Sequence, residues 1–472
     1  MQKELILNTC RLFFSKLLPA LLMTLINVIY SRLLSQEDYG SYQVIWTYLN
    51  VFVIFSAFGL PKYILSAGGN LKQEDFKKLF RIFLLIFLSI FFLIGFYILV
   101  FSNHFDLRSG SLFLLLLVSQ TFFLIQESYI ISNDESKKLL LPSIVYSFLL
   151  LMGHLVIFYW IGYSLSNCVL VILIVSLLRN MILWGQGFKN IFNKHHNLQK
   201  EADFSLMYWI GLNDSFQIFT KWLDKLVLLF LLPAAEFAVY YNGTFELPLV
   251  GMFLLTFQSV LTFYGAKESE NVNYRIDLFR SSALMMSGFI FPLFAWMFWY
   301  SGPIVNLLFG SKYEDSSVLF AFTTLFLPVR ICSYTVLLQL ANKGRIILTG
   351  SIIDFIISLS LMILLYPFFK LNGLVLALVI STYLQAGFYL LNISKTYNVS
   401  IGKLLDFPAL FLKIVFSVVF IGGVYYLGSL FLAPFYSLVA GGIVLCFFFL
   451  YHLMKLYPKI STGHLPARRQ GK

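Results

Sequence analysis

Charge is scarce in this sequence. Only 12% of its residues are Asp, Glu, Lys or Arg, and acids are scarcer than bases, 22 against 34, for a net charge of +12. Cysteine is rarer still: Cys10, Cys168, Cys332 and Cys446 fall in or at the edge of apolar runs. They lack metal-ligand spacing and read as small apolar fillers. No glycine-rich loop is present to cradle a phosphate, so the chain is not itself an ATPase. A serine-elbow motif, a metal-spaced histidine set and a large outside loop are also missing, which leaves no place for a transferase or polymerase site. The bases are scattered one or two per loop rather than gathered in a stripe, which excludes a nucleic-acid partner.

What is present is hydrocarbon-like sequence from end to end. The 472 residues are 59% hydrophobic, a composition of polytopic membrane proteins rather than of soluble domains. About fourteen apolar runs, centred from Leu22 to Leu445, are long enough to cross a bilayer core of about 30 Å. The expectation is therefore an all-α polytopic membrane protein of about fourteen transmembrane helices. Taking the N-terminus as cytoplasmic, inside segments hold about 24 Lys and Arg and outside segments only Arg32, Arg108, Lys312 and Lys370. That bias places both termini in the cytoplasm and requires an even number of spans. The first run is about 25 residues long and no small-residue cleavage site follows it, so it is expected to stay.

A polar central loop divides the chain. The expected organisation is a six-helix lobe over 1–188, a cytoplasmic linker over 189–204, a second six-helix lobe over 205–395, and an extra helix pair with a basic tail over 396–472. His195 and His196 in the linker read as solvated rather than metal-binding. Faint self-similarity links the halves: Glu37-Asp38-Tyr39-Gly40 follows the first span, and Glu236 with Tyr240 follows the seventh. Six spans per half would leave the two copies in the same orientation, a known transporter plan.

The charges that remain inside the runs carry most information. The seventh run, near 205–232, holds Asp214, Lys221, Asp224 and Lys225, which with Gln217 draw a stripe down one helix face. At about 2.5–3.5 kcal/mol per charge at mid-bilayer, a lipid-facing stripe would cost roughly 10 kcal/mol. Such a stripe must face protein or a wet cavity. Glu246 lies one helix on. Arg330 and Asp354 fall well inside the tenth and eleventh runs and are expected to pair with each other or to line a cavity. Lys16, Lys62, Glu127 and Arg179 lie near enough to the cytoplasmic side to snorkel. His154 reads as a hydrogen-bonded packing residue, with a proton relay as the sharper alternative. Gly59-Leu60-Pro61, Pro248 with Gly251, and Pro328 interrupt the second, eighth and tenth runs, where a missing backbone donor marks a kink or a broken segment lining a path.

The residues that tie these features to a known family are diffuse but ordered along the chain. They are Ser31-Arg-Leu-Leu-Ser-Gln-Glu-Asp-Tyr39-Gly40, Phe58-Gly59-Leu60-Pro61-Lys62-Tyr63, Asp224-Lys225-Leu226, Pro303-Ile-Val-Asn-Leu-Leu-Phe-Gly310 with Tyr313, and Gly373. Over nearly its whole length the chain resembles bacterial polysaccharide-lipid flippases of the O-antigen (Wzx) type, in the multidrug/oligosaccharidyl-lipid/polysaccharide exporter superfamily. The resemblance implies two six-helix lobes around a central cavity with the last two helices peripheral. It implies a cargo of undecaprenyl-pyrophosphate-linked oligosaccharide, passed from the cytoplasmic to the periplasmic leaflet of the bacterial inner membrane by alternating access, and no enzymatic activity. Lys16, Lys62, Lys221, Lys225 and Arg330 would then receive the pyrophosphate, since Lys and Arg suit phosphate. Asp214, Asp224, Glu246 and Asp354 would be the coupling or gating carboxylates, with a proton or sodium gradient as the candidate driving force and no cofactor. Membrane lipid, a polysaccharide polymerase and a chain-length regulator would be the partners. A drug/cation antiporter of the same superfamily is the alternative, though its cavity should be net acidic; a membrane-embedded polymerase comes third.

Overall fold

A computed structural model of the chain describes residues 2–67, 73–102, 104–133, 135–186, 204–267, 272–341 and 343–461. The described residues form helices and no strand. In order they are α1 (Gln2–Leu33), α2 (Gln36–Ala57), α3 (Leu60–Ala67), α4 (Gln73–Phe96), α5 (Leu107–Ser132), α6 (Leu140–Val156), α7 (Leu165–Gly185), α8 (Phe204–Leu231) and α9 (Ala234–Gly243). There follow α10 (Pro248–Lys267), α11 (Val272–Trp299), α12 (Ser301–Phe309), α13 (Ser316–Thr324), α14 (Tyr334–Leu340), α15 (Gly344–Tyr397), α16 (Ile401–Leu404), α17 (Phe407–Phe431) and α18 (Pro434–Ser461). His195 and His196 lie outside the described residues, as does the expected linker up to Asp203. No cluster of potential metal ligands occurs among the described residues.

Helix is the only way these apolar segments can satisfy their own backbone in lipid. Ten of the described helical stretches are long and apolar enough to cross a membrane. One of them, α15, folds back on itself at Lys370, whose φ of 51° breaks the helix. Tyr389 on its second half donates to the Ile347 carbonyl on its first at 3.0 Å, and Gln385 donates to that of Gly350 at 3.2 Å. The eleventh and twelfth spans are thus an antiparallel pair. The three remaining expected spans are the charged α8 and the interrupted pairs α2–α3 and α9–α10. The chain is a multi-pass all-α membrane protein.

Helix starts are set by polar caps. Ser35 accepts from the Asp38 amide at the head of α2, Asp106 from Ser109 at α5, Ser164 from Asn167 at α7, and Asp406 from Ala409 at α17. Each cap satisfies a donor that the first turn leaves open.

Two compact units result, Met1–Ala238 and Val239–Lys472. In the first, α5 packs on α7 and α3, α1 on α6, and α2 on α8. Tyr30, Tyr39, Tyr42 and Tyr48 are all buried there. His154 bonds through Nδ1 to the Leu150 carbonyl at 2.8 Å and through Nε2 to the Tyr42 hydroxyl at 3.1 Å, a ring engaged on both nitrogens. The second unit is built around α11, against which α13, α17 and α18 pack. Three side chains clasp the last helix pair to it. Lys413 donates to the Leu284 carbonyl at 2.7 Å, His452 contacts that of Met285 at 2.9 Å, and Trp299 donates to that of Val418 at 3.0 Å. Outside the membrane-spanning segments, Arg280 holds Asp406 at 2.7 Å, and that bond draws the carboxyl below its ordinary value.

Close backbone approach fixes the interrupted second span. Phe58 and Gly59 both take positive φ, 36° and 75°, closing α2 with a bond from the Phe58 amide to the Ile54 carbonyl. Glycine adopts this conformation without a Cβ clash. Gly59 lies directly on the backbone of Gly211 in α8, so a side chain on either would meet main chain. Replacing Gly211 by Leu should destabilise the protein by about 1–3 kcal/mol through overpacking. Gly387→Ala, where a Cβ meets open space, should be neutral or stabilising. Thermal unfolding in detergent checks both: Gly211→Leu should melt earlier and Gly387→Ala should not.

Candidate functional site

In the first unit the site grows out of the Gly59–Gly211 contact. One helical turn beyond each glycine stand Lys62 and Asp214, and the close approach brings them to 2.5 Å. The acid is buried, at 8% exposure, whereas the Lys62 side chain is 60% exposed. Asp224 lies ten residues further along α8, about 15 Å of rise. It is 2% exposed and has Lys225 at 3.5 Å, whose ammonium stands 5.4 Å from the Trp222 ring. Lys221 and Gln217 are exposed on the same helix, and Lys221 makes no ion pair with any described residue. The stripe's acids therefore turn into the bundle and Lys221 turns out, whereas Lys225 stays mostly covered beside Asp224 at 14% side-chain exposure.

Lys16 and Glu127 meet at 3.6 Å, again with an exposed base and a mostly covered acid. Arg179 does not snorkel as its position implied. It is buried, its guanidinium 3.3 Å from the Phe123 ring centre and 4.0 Å from that of Tyr146, and it donates to Gln120 at 2.8 Å. Aromatic faces and a neutral amide can hold a weakly hydrated guanidinium where the long path to water is blocked.

In the second unit the site is a cleft between two interrupted spans. The backbone leaves helix at 244–247, between α9 and α10, and again between α13 and α14, where a short 3-10 turn spans Pro328–Ile331. The prolines flagged in the sequence sit at these breaks. Glu246 comes from the first and Arg330 from the second, and they pair at 2.8 Å. Arg330 is thus paired with Glu246 and makes no ion pair with Asp354. The cleft is lined besides by Phe245, Leu247, Val250, Phe320, Thr323 and Phe326, among others. Arg330 is 36% and Glu246 45% exposed, so both are reachable. Asp354, on the first half of α15, is half-buried, and its Oδ1 finds no hydrogen-bond partner among the described residues.

The aromatic lining of the cleft and the Trp222 platform escaped sequence reasoning. The i, i+3 spacing of Trp222 and Lys225 was a signal for the latter; the cleft lining comes from spans far apart in sequence and had none.

A family model described as polysaccharide biosynthesis protein matches residues 29–318, more than half of the chain. The chain belongs to this family. No curated protein matches the sequence. Among solved structures, this polysaccharide biosynthesis protein is similar to the lipid II flippase MurJ in an inward closed conformation, with a TM-score of 0.71 and 15% identity over 96% of this chain and 99% of that one. It is also similar to an inward-facing multidrug resistance MATE family transporter of the MOP superfamily, with a TM-score of 0.58 and 14% identity over 82% and 99%. A third match is a MOP superfamily transporter from Pyrococcus furiosus, with a TM-score of 0.54 and 12% identity over 84% and 96%. At these identities the likeness establishes the fold of that superfamily.

The family member's Lys62–Asp214 pair makes a double-mutant cycle decisive. With the base this exposed, the coupling between Lys62→Ala and Asp214→Ala should be about 0.2–1 kcal/mol. Arg179→Lys should cost more than Lys62→Ala, because an ammonium cannot reproduce the planar stack between two rings. Unfolding of the purified variants measures both, and equal costs would contradict the stacked-guanidinium account.

Proposed function

We propose that the protein is a flippase for an undecaprenyl-pyrophosphate-linked oligosaccharide repeat unit, of O-antigen or capsule type. It moves the cargo from the cytoplasmic to the periplasmic leaflet of the bacterial inner membrane by alternating access. Both termini lie in the cytoplasm, and a polymerase and a chain-length regulator act on the delivered unit. The family membership and the fold support this reading at the level of a lipid-linked cargo.

The observation that carries it is the division of charge by sign. Asp214 and Asp224 are covered, whereas Lys16, Lys62 and Lys221 are exposed. Exposed cations over buried carboxylates make a surface that attracts an anion and holds it through charge-assisted hydrogen bonds. Such a surface suits a sugar–pyrophosphate head, which hydrocarbon excludes. Lys225 and Arg330 add to the same cationic set. The carboxylates Asp214, Asp224, Glu246 and Asp354 are the candidates for coupling to a proton or sodium gradient. The exposed Glu246 favours the other reading, a drug/cation antiporter, because it is the reachable acid of the cleft. Its arginine partner argues against that, since the pair offers a cation no net negative charge.

Lys221→Gln and Arg330→Gln should each abolish surface polysaccharide in cells lacking the wild-type protein, with unchanged protein levels in the membrane and accumulation of lipid-linked units. Normal polymer from both variants would overturn the reading.

A further inference from the structure

Between its ions α8 carries polar groups that take part in no ion pair. Trp209, Asn213, Gln217 and Lys221 stand four residues apart, so they form one oblique ridge on the helix. Each step of that ridge rises about 6 Å, and the whole about 18 Å. α8 packs on α2 and α3 through Gly211, which lies on Phe58, and through Asp214, which holds Lys62. Within the first unit the ridge itself is left uncovered. Trp209 is 61% exposed, Gln217 and Lys221 are exposed, and Asn213 is half-buried.

The two amides on the ridge spend little of their hydrogen-bonding capacity. Gln217 donates through Nε2 to the Asn213 Oδ1 at 3.3 Å, a long bond. Among the described residues neither side chain has another partner. The Asn213 amino group, the Gln217 Oε1 and one Gln217 N–H are therefore open. Against lipid these groups would go unpaired at a high cost, so this face meets water or a polar ligand. An amide carries no net charge with which to draw a phosphate or a drug cation. It offers a donor beside an acceptor, which is what neighbouring sugar hydroxyls also offer in return. Trp209, edge-to-face with Tyr208 at 5.8 Å, adds a broad aromatic surface of the kind that packs on the apolar side of a sugar ring. One step of the ridge is close to the length of one pyranose.

We propose that this ridge is a sugar track, on which consecutive rings of the cargo's oligosaccharide lie one to a step. With the diphosphate at Lys221, the first sugar falls at Gln217, the next at Asn213, and a third packs on Trp209. The track rests on the flippase reading and adds to it the neutral residues that contact the glycan rather than its charge.

The test uses the full-length protein in a cysteine-free background that still exports, in membranes opened to both sides. Gln217→Cys and Trp209→Cys are labelled with a water-soluble maleimide. The membranes come from cells that make the complete lipid-linked unit, only its first sugar on the lipid, or neither. The complete unit should slow labelling at both positions by about tenfold, the occupancy that a few net hydrogen bonds support. The single-sugar unit should slow it at Gln217→Cys alone. Asn213→Leu added to Trp209→Cys should remove the protection there, and Asn213→Gln should keep it. Equal labelling with and without cargo, or protection of Trp209→Cys by the single-sugar unit, would overturn the track. So would protection that survives Asn213→Leu, or a face that the reagent never reaches. Slower labelling on addition of sodium alone would assign the amides to a cation and overturn it as well. These outcomes are separable from the flippase itself. Failed export by Lys221→Gln and Arg330→Gln with uniform labelling removes the track and keeps the flippase. Normal export by both variants with stepwise protection intact removes the cationic flippase reading and keeps the ridge as a glycan site.

Discussion

A hydrocarbon layer offers neither donors nor acceptors, so each backbone break and each ion inside it must find its partner in protein or in a wet recess. The irregular features of this chain follow from that requirement. Helix is interrupted beside Phe58 and Gly59, at 244–247, and around Pro328. Close to each interruption stands a charged residue whose opposite number comes from another span: Lys62 with Asp214, and Glu246 with Arg330. The breaks and the ions are solved together, because a distorted turn frees main-chain groups and room where a charged side chain can be accommodated.

The way the ions are partnered separates structure from function. Arg179 is clamped between two rings and a glutamine and has no access to a ligand, so its role is to hold α5, α6 and α7 in register. Asp214 and Asp224 are likewise covered, each with a lysine beside it. Lys62, Lys221 and Arg330 present the reachable charge. Burying Asp214 and Asp224 while Lys62 and Lys221 stay exposed gives a local polarity that composition alone, with its modest excess of bases, does not specify.

The overall architecture was legible because uninterrupted apolar runs of about 20 residues have one stable solution in lipid. Interrupted spans were legible at Gly59-Leu60-Pro61, Pro248 and Pro328, since a missing donor or Cβ acts locally. Which ions need a partner was also legible, because each is too costly in hydrocarbon to stand alone. Their pairing was not. Arg330 joins Glu246, 84 residues away in sequence, rather than Asp354 in the neighbouring span. That choice depends on the path of the backbone through two breaks, which no local pattern encodes. The depth of Arg179 failed for the same reason: its distance from the helix end was read correctly, but the rings that block its route outward belong to α5 and α6. The contact of Gly59 with Gly211 is legible only once both helices are in place, since an isolated glycine carries no mark of its neighbour.

In the clasp between α11 and the final helix pair, two bonds depend on side chains of that pair, whereas the third depends on Trp299 of α11. Lys413 and His452 grip carbonyl oxygens of Leu284 and Met285, atoms that every residue type supplies. The sequence of α11 can therefore drift at those two positions without loosening the grip, whereas the lysine and the histidine cannot be exchanged freely. Ser287 and Gly288 are exceptions on the receiving side, because the Ser287 hydroxyl accepts from Lys413 at 3.0 Å and the imidazole lies where any residue larger than Gly288 would put its first carbon. Tolerance to substitution should thus differ sharply between two surfaces that touch each other, set by which of them contributes main chain and which contributes side chain.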